Sequence, residues 1–183
     1  MTFNENFLKT VRNKQITIGY TDSGWNYDMY DFITYINTHP DEFKIWEPKN
    51  RRLGLTKMES RQSTPDFAKN ILDNLRKIFH KNNISCHAYC GFTNHSKSFN
   101  IHKDQMDVLY LQIIGDTEWS IWESDLDEKE ITMDQGKCIL TEKFIPGKWI
   151  WVPRGTYHFV KPITPRVGFS FGIENDPDPA TYI

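Results

Sequence analysis

Seven short segments rich in β-branched and aromatic residues follow one another after Asn83, and they constrain the fold most strongly. Residue pairs typical of turns separate them, among them Gly115-Asp116, Pro146-Gly147 and Arg154-Gly155. The segments predicted as strands are 84–92, 108–114, 118–122, 138–141, 148–152, 158–163 and 166–173. Strands this short and this numerous predict a mainly-β domain that is a sandwich, a jelly roll or a barrel.

The first third of the chain predicts helices and loops that pack outside this β domain. A helix over 27–38 would bury one face consisting of Met29, Phe32, Ile33 and Ile36. A second helix is expected to begin after Ser63 or Thr64, with Pro65 at its first position, and to end near His80. Its apolar stripe consists of Phe67, Ile71, Leu72, Leu75 and Ile78.

The size of the chain favours one domain. Its 183 residues suffice for one hydrophobic core and are few for two. We therefore expect a single domain over 1–183, with a mostly helical and loop flank at 1–83 and a β core at 84–173.

Composition and charge limit the expected cellular location and the expected classes of binding partner. The formal net charge of -2 argues against a nucleic-acid partner, and no apolar run is long enough to span a bilayer, so we expect no membrane partner. The N-terminus lacks the basic and apolar regions of a secretory signal. Three cysteines without a CxxC pair argue against a disulfide framework, so a cytoplasmic location is expected.

Two separated stretches carry residues that could bind one metal ion. Alternate strand residues face the same side with Cα atoms roughly 6–7 Å apart, so His102 and Asp104 can share an ion. His158, at the start of another predicted strand, could supply a third ligand. Two imidazoles and one carboxylate are the ligand set of non-haem Fe(II) oxygenases and leave coordination positions open. The alternative is a barrel without metal in which these side chains bond to one another.

The same stretches carry a family resemblance. The first reads His-x-Asp-x-x-Asp-Val from His102 to Val108 and is followed by Gln112, Gly115 and Trp119. The second contains Gly147, Pro153, Gly155 and His158 at the spacing of the second cupin motif. A closing stretch runs from Gly168 to Gly172. With these motifs the chain resembles the Jumonji-C branch of the cupin superfamily, the iron- and 2-oxoglutarate-dependent oxygenases, and within it the ribosomal oxygenases and asparaginyl hydroxylases.

This resemblance implies both a fold and a chemistry. It implies a double-stranded β-helix in which His102, Asp104 and His158 hold Fe(II). It also implies that 2-oxoglutarate and O2 are co-substrates and that a substrate is hydroxylated while 2-oxoglutarate becomes succinate. The substrate itself, whether a peptide, a protein or a small molecule, does not follow from the resemblance. The basic segment 49–61 could be a lip that contacts it or simply a solvated loop.

One position departs from the family pattern. Relatives place a lysine or arginine near Thr117 to pair with the distal carboxylate of 2-oxoglutarate, and threonine cannot supply that charge. Arg166 is the best substitute, because arginine holds a carboxylate with two hydrogen bonds. Arg166 and Ser170 are four residues apart on a predicted strand and share a face. We expect Arg166, with Thr117 or Ser170, to hold the co-substrate carboxylate, and Tyr110 could line the same pocket or fill the barrel. The alternative for Arg166 is a structural ion pair at the barrel rim.

Several neighbouring residues have simpler interpretations. Asp107 is expected to orient backbone or a ligand rather than to bind metal. Gln112, on the same strand face as Tyr110, could line the co-substrate pocket or fill the barrel. His87 and His95 are expected to be solvated or hydrogen-bonded histidines. The residues expected in the core are Cys86, Cys90, Trp119, Trp122, Trp149 and Trp151.

Three functions remain open on the sequence alone. The first is the 2-oxoglutarate-dependent hydroxylase that the resemblance implies. The second is a metal-dependent cupin enzyme without 2-oxoglutarate, such as a dioxygenase or an isomerase, which is favoured if Thr117 and Arg166 form no carboxylate site. The third is a non-catalytic β-barrel module that binds a peptide or a sugar.

Overall fold

The computed structural model describes residues 3, 5–21, 26–40, 64–80, 83–96, 98–123 and 138–174. Within these ranges the helices are α1 (Glu5–Arg12), α2 (Met29–Thr38) and α3 (Asp66–Phe79). The strands are β1 (Thr17–Tyr20), β2 (Ile84–Gly91), β3 (His102–Lys103), β4 (Asp107–Ile114), β5 (Thr117–Trp122), β6 (Cys138–Phe144), β7 (Lys148–Val152), β8 (Tyr157–Pro162) and β9 (Arg166–Ile173). All seven predicted strands are therefore present, with small differences at their ends.

The strands form two antiparallel sheets. Five strands pair in the order β1-β7-β4-β9-β2, and four pair in the order β3-β8-β5-β6. Consecutive strands β7, β8 and β9 alternate between the two sheets, so the chain winds around a shared interior. This is the predicted mainly-β jelly roll, or double-stranded β-helix, with N-terminal helices beside it.

Apolar side chains cover both faces of the five-stranded sheet. On β4, Leu109 and Leu111 point toward the helices, where they join α3 residues such as Leu72 and Leu75. The alternate residues of β4 point into the barrel, where Val108 and Tyr110 meet residues of the four-stranded sheet. A strand buried on both faces has a nearly continuous apolar sequence, as the segment 108–114 has apart from Gln112.

The helices follow the predicted pattern with two corrections. In α2, Phe32 is fully buried, but Ile33 is 41% exposed and does not belong to the buried face. Asp28 caps this helix by accepting a hydrogen bond from the backbone N–H of Asp31 at 3.0 Å, and the Asp31 side chain accepts one in return. In α3, Pro65 is the N-cap rather than the first helical residue, because the helix begins at Asp66. The stripe of α3 packs as predicted, and the basic segment 49–61 lies outside the described residues.

The first third of the chain also contains a strand that the sequence did not predict. Residues Thr17–Tyr20 pair with β7, with Thr17 opposite Trp151 and Tyr20 opposite Lys148. Four residues are too few to show a strand period, so the open edge of β7 determines their conformation. Gly19 lies against the Trp149 indole, where a Cβ atom would come within 2.1 Å of that ring.

Candidate metal centre and the adjoining cleft

His102, Asp104 and His158 come together where β3 pairs with β8. His102 and His158 are directly opposite each other in this antiparallel pair. One possible ligand atom from each of the three residues lies within 4.8 Å of the others. The Asp104 carboxylate oxygens lie 3.8 Å from His102 Nε2 and 3.6 Å from His158 Nε2. Both distances exceed a hydrogen bond, so the three groups do not satisfy one another directly, and together they can share one cation.

The far nitrogen of each imidazole is held by a backbone carbonyl. His102 Nδ1 lies 2.7 Å from the Asn100 oxygen, and His158 Nδ1 lies 3.0 Å from the Thr156 oxygen. A carbonyl oxygen only accepts hydrogen bonds, so each Nδ1 carries the proton and donates it. In the neutral ring, Nε2 then presents its lone pair toward Asp104, which is the arrangement that a histidine ligand requires.

The two imidazoles differ in their surroundings. His158 is buried and its ring stacks on Trp119, with ring centroids 5.5 Å apart and planes at 19°. Burial lowers the pKa of His158 below its ordinary value, the neighbouring His102 lowers it further, and Asp104 acts in the opposite direction. The side chains of His102 and Asp104 are each 35% exposed, so the group of three opens to solvent on one side. A neutral His158 is the form that binds metal.

Two hydrogen bonds connect the segment of His102 and Asp104 to the turn before His158. The backbone N–H of Gly155 donates to the Asp104 carbonyl at 2.9 Å, and that of Arg154 donates to Asp107 Oδ1 at 2.7 Å. Asp107 is buried and therefore orients backbone, as the sequence predicted. Gly155 has a φ of 77°, a left-handed conformation that glycine adopts without strain.

A cleft of about 390 Å³, part of it open to solvent, adjoins the three residues. Its aromatic walls are Tyr89, Phe99, Tyr110 and Trp119. Its polar walls, apart from His102, Asp104 and His158, are Ser98, Arg166 and Ser170. Arg166 and Ser170 therefore share a face of β9, as their spacing predicted. Trp119 contributes to the cleft as well as to the core.

Arg166 is the most unusual residue of the cleft. It is only 2% exposed, and its Nη1 lies 3.4 Å from the Tyr110 hydroxyl. Its Nε is buried and has no hydrogen-bond partner, and no carboxylate of a described residue pairs with it. The structural ion pair considered for Arg166 is therefore absent among the described residues. A buried cation without a counter-charge is costly, and an anion bound in the cleft would offset that cost.

Gln112 organises the hydroxyl groups next to Arg166. Its Oε1 accepts hydrogen bonds from the Tyr110 hydroxyl at 2.7 Å and from the Thr117 hydroxyl at 2.9 Å. Its Nε2 donates to the carbonyl of Ile114 at 2.7 Å, which fixes the orientation of the amide. Thr117 is fully buried, is not among the cleft walls, and its proton is committed to Gln112. Tyr110 stays a neutral phenol, because burial raises its pKa.

The other candidate residues lie outside the metal-ligand group. His87 lies 3.5 Å from the Tyr89 hydroxyl through Nδ1, and His95 is exposed, so neither joins the group of three. Cys86 and Cys90 are buried free thiols, and burial raises the pKa of Cys86 to about 12. The sequence did not point to Tyr89 and Phe99 as cleft residues. The alternation of β2 carried a signal for Tyr89, whereas Phe99 lies outside any strand and carried none.

Comparisons with known proteins agree with this geometry. The family model of the JmjC domain matches residues 60–179, more than half of the chain, so the chain belongs to the JmjC domain family. No curated protein matches it in sequence.

The fold is similar to that of E. coli YcfD, described as a ribosomal oxygenase. An X-ray structure of YcfD superposes with a TM-score of 0.69 at 16% identity, covering 97% of this chain and 54% of YcfD. YcfD in complex with cobalt and 2-oxoglutarate gives 0.68 at 16% identity, covering 97% and 53%. YcfD with cobalt and succinic acid gives 0.65 at 16% identity, covering 97% and 53%. The chain thus spans about half the length of YcfD.

The described part of the chain contains no helix that is both long and apolar enough to cross a membrane.

Proposed function

We propose that this protein is an Fe(II)- and 2-oxoglutarate-dependent oxygenase that hydroxylates a substrate. The main support is that one cleft holds both a metal-ligand set and a buried arginine that no carboxylate of the described residues pairs with. 2-Oxoglutarate carries a 2-oxo acid at one end, which chelates a metal, and a carboxylate at the other, which pairs with an arginine. One dicarboxylate of this kind would therefore satisfy both features.

His102, Asp104 and His158 would hold the iron. Two imidazoles and one carboxylate suit Fe(II) and leave positions for other ligands. When bound, the iron supplies the site at which O2 is reduced while 2-oxoglutarate is converted to succinate and CO2 and the substrate gains a hydroxyl group. The carbonyls of Asn100 and Thr156 would keep both imidazoles turned toward the ion.

Arg166 would hold the distal carboxylate of 2-oxoglutarate. A guanidinium can donate two parallel hydrogen bonds to a carboxylate, and burial strengthens this interaction. Ser170, on the same strand face, would add a hydroxyl, and Tyr110 would position the guanidinium through its contact with Nη1. Thr117 would act indirectly, because its hydroxyl belongs to the Gln112 cluster. In relatives, a lysine or arginine near the position of Thr117 pairs with the distal carboxylate of 2-oxoglutarate. In this protein Arg166 on β9 would take that role.

The comparisons support the class of this proposal and leave the substrate open. JmjC membership and the fold of YcfD, a protein solved with cobalt and 2-oxoglutarate, are consistent with it. Because the chain spans only about half of YcfD, a ribosomal substrate does not carry over. We also propose that 84–173 forms the catalytic core of a single domain over 1–183.

Anaerobic titration with Fe(II) and then with 2-oxoglutarate tests the proposal. We expect a visible metal-to-ligand charge-transfer band that forms only when both are present. His158→Ala should abolish it by removing a ligand. Arg166→Gln should leave iron affinity within about twofold and weaken 2-oxoglutarate by about tenfold or more, the size of a lost charge-assisted pair. Arg12→Gln, which removes an exposed arginine, is the matched control and should change neither.

Two other results would replace the proposal. Iron binding without the band would indicate a metal-dependent cupin enzyme that does not use 2-oxoglutarate. Failure to bind any divalent metal would leave a non-catalytic binding module.

A further inference from the structure

Trp119 contacts residues of both the metal-ligand group and the arginine's surroundings. Its ring stacks on His158, and its centroid lies 4.8 Å from that of Tyr110. Tyr110 in turn contacts Arg166. Trp119 therefore forms the wall along which a molecule reaching from the metal ligands to Arg166 would lie.

The ring of Trp119 is packed against its neighbours, but its Nε1 atom has no hydrogen-bond partner in the described part of the chain. The side chain is 3% exposed, and its Nε1 is buried with no hydrogen-bond acceptor among the residues that the structure describes. A buried N–H without a partner costs free energy, and most such groups in proteins are paired. Trp119 is a wall of the cleft, which makes a molecule bound there a candidate for the acceptor.

Two hydroxyl groups near this wall are already committed. The Tyr110 and Thr117 hydroxyls both donate to Gln112, so neither has a proton for a ligand. An anion in the cleft would find N–H donors at Arg166 and at Trp119, besides the hydroxyls of Ser98 and Ser170.

We propose that the indole N–H of Trp119 donates a hydrogen bond to a carboxylate oxygen of bound 2-oxoglutarate, which makes Trp119 a co-substrate-binding residue. This inference rests on the proposed function and adds a residue to it. The ring stacked on His158 would hold the donor in place, so the co-substrate would be fixed by a neutral donor as well as by the charge of Arg166.

The chain contains a matched control for this inference. Trp151 is also buried with an unpartnered Nε1, but it packs among Phe7 and Phe79 on the helical side of the sheet. Trp119→Phe and Trp151→Phe each remove one indole N–H and some ring volume. Only the first removes it from the cleft.

Calorimetric titration of 2-oxoglutarate into Zn(II)-loaded protein provides the first measurement, because zinc has no redox chemistry and prevents turnover. We expect Trp119→Phe to weaken 2-oxoglutarate by about tenfold, the usual effect of losing a hydrogen bond to a charged group. Zinc affinity should stay within about twofold, and Trp151→Phe should leave 2-oxoglutarate affinity unchanged. Equal affinities in wild type and Trp119→Phe would overturn this inference alone. Failure of the wild type to bind 2-oxoglutarate would overturn the proposed function with it.

Nitrogen-15 spectra of the unsubstituted, Zn(II)-loaded protein provide an independent readout if Trp119→Phe does not fold. The six tryptophans give six indole N–H signals. The Trp119 signal, assigned through its proximity to the His158 ring, should move downfield when 2-oxoglutarate is added. The Trp151 signal should not move. A Trp119 signal that stays in place while 2-oxoglutarate binds would overturn the inference.

Discussion

The Asp107 carboxylate accepts a hydrogen bond from the backbone N–H of Arg154 at 2.7 Å, across 47 residues of sequence. With the bond from Gly155 to the Asp104 carbonyl, it joins the segment that carries two of the candidate ligands to the turn that leads into the third. The separation of His102 and Asp104 from His158 therefore depends on a buried carboxylate that itself lies outside the metal-ligand group.

Replacing Asp107 with alanine should loosen this connection. The Arg154 N–H would lose its acceptor, at a cost of about 1–3 kcal/mol in the free energy of unfolding. Metal affinity should fall by about 10–100-fold, as is usual when a group that orients ligands is removed. Asp107→Asn keeps an acceptor oxygen and should recover most of both losses. Zinc titration and urea unfolding of the two variants measure this, and an alanine variant with wild-type zinc affinity would contradict it.

Replacing Gln112 with leucine should destabilise the protein and weaken the anion site. The Tyr110 and Thr117 hydroxyls would lose their shared acceptor inside the barrel, which costs about 1–3 kcal/mol per buried unsatisfied group. Tyr110 would then be free to turn away from Arg166. Urea unfolding and 2-oxoglutarate titration check the two effects. Gln105→Leu, at an exposed position beside β4, is the control and should change neither quantity.

Replacing Gly168 with alanine should displace the Tyr110 hydroxyl. An added Cβ atom at Gly168 would lie 1.9 Å from that oxygen, so we expect the ring to shift and its hydrogen bond to Gln112 to weaken. We expect a loss of about 1–3 kcal/mol in unfolding free energy, typical of overpacking, together with weaker 2-oxoglutarate binding.

Gly155→Ala is the control for Gly168→Ala, because it introduces backbone strain without displacing the Tyr110 hydroxyl. A Cβ atom at Gly155 meets nothing within 4 Å, but the φ of 77° makes any side chain unfavourable by roughly 1–2 kcal/mol. We expect a comparable loss of stability without a change in 2-oxoglutarate affinity. Similar 2-oxoglutarate affinities in the two alanine variants would show that the position of Tyr110 does not matter for the anion.

The buried His158 should make the metal-free protein less stable in mild acid. Its pKa in the folded state lies below the ordinary value of 6.5, so the unfolded chain binds more protons than the folded one as the pH falls. The stability contributed by the neutral imidazole is present above pH 6.5 and is lost as the pH drops through this range toward the lower folded-state pKa. Urea unfolding at several pH values between about 5 and 8 measures this in the range where histidine titrates. The dependence of the unfolding free energy on pH should diminish in His158→Gln. It should persist in His95→Gln, which changes an exposed histidine.

Features that depend on local pattern were predictable from the sequence. Strand alternation and turn residues predicted seven of the strands, and the motifs around His102 and His158 indicated residues that the fold then placed opposite each other. Gly147 and Gly155 both have positive φ, as their places in predicted turns required. The face of α2 was predicted wrongly at Ile33, because the period of a helix does not show how wide its buried face is.

The sequence by itself determined the mainly-β class and the residues that could form a metal site, because period, turn chemistry and motif spacing are local properties of the chain, and the family resemblance narrowed the class to a double-stranded β-helix. Only the tertiary structure decided what each polar atom contacts. It directed the Thr117 hydroxyl to Gln112, buried Arg166 with no carboxylate of the described residues beside it and placed the Trp119 indole along the cleft. These partners come from strands far apart in sequence, and a hydrogen bond depends on distances of a few tenths of an ångström that no residue pattern encodes.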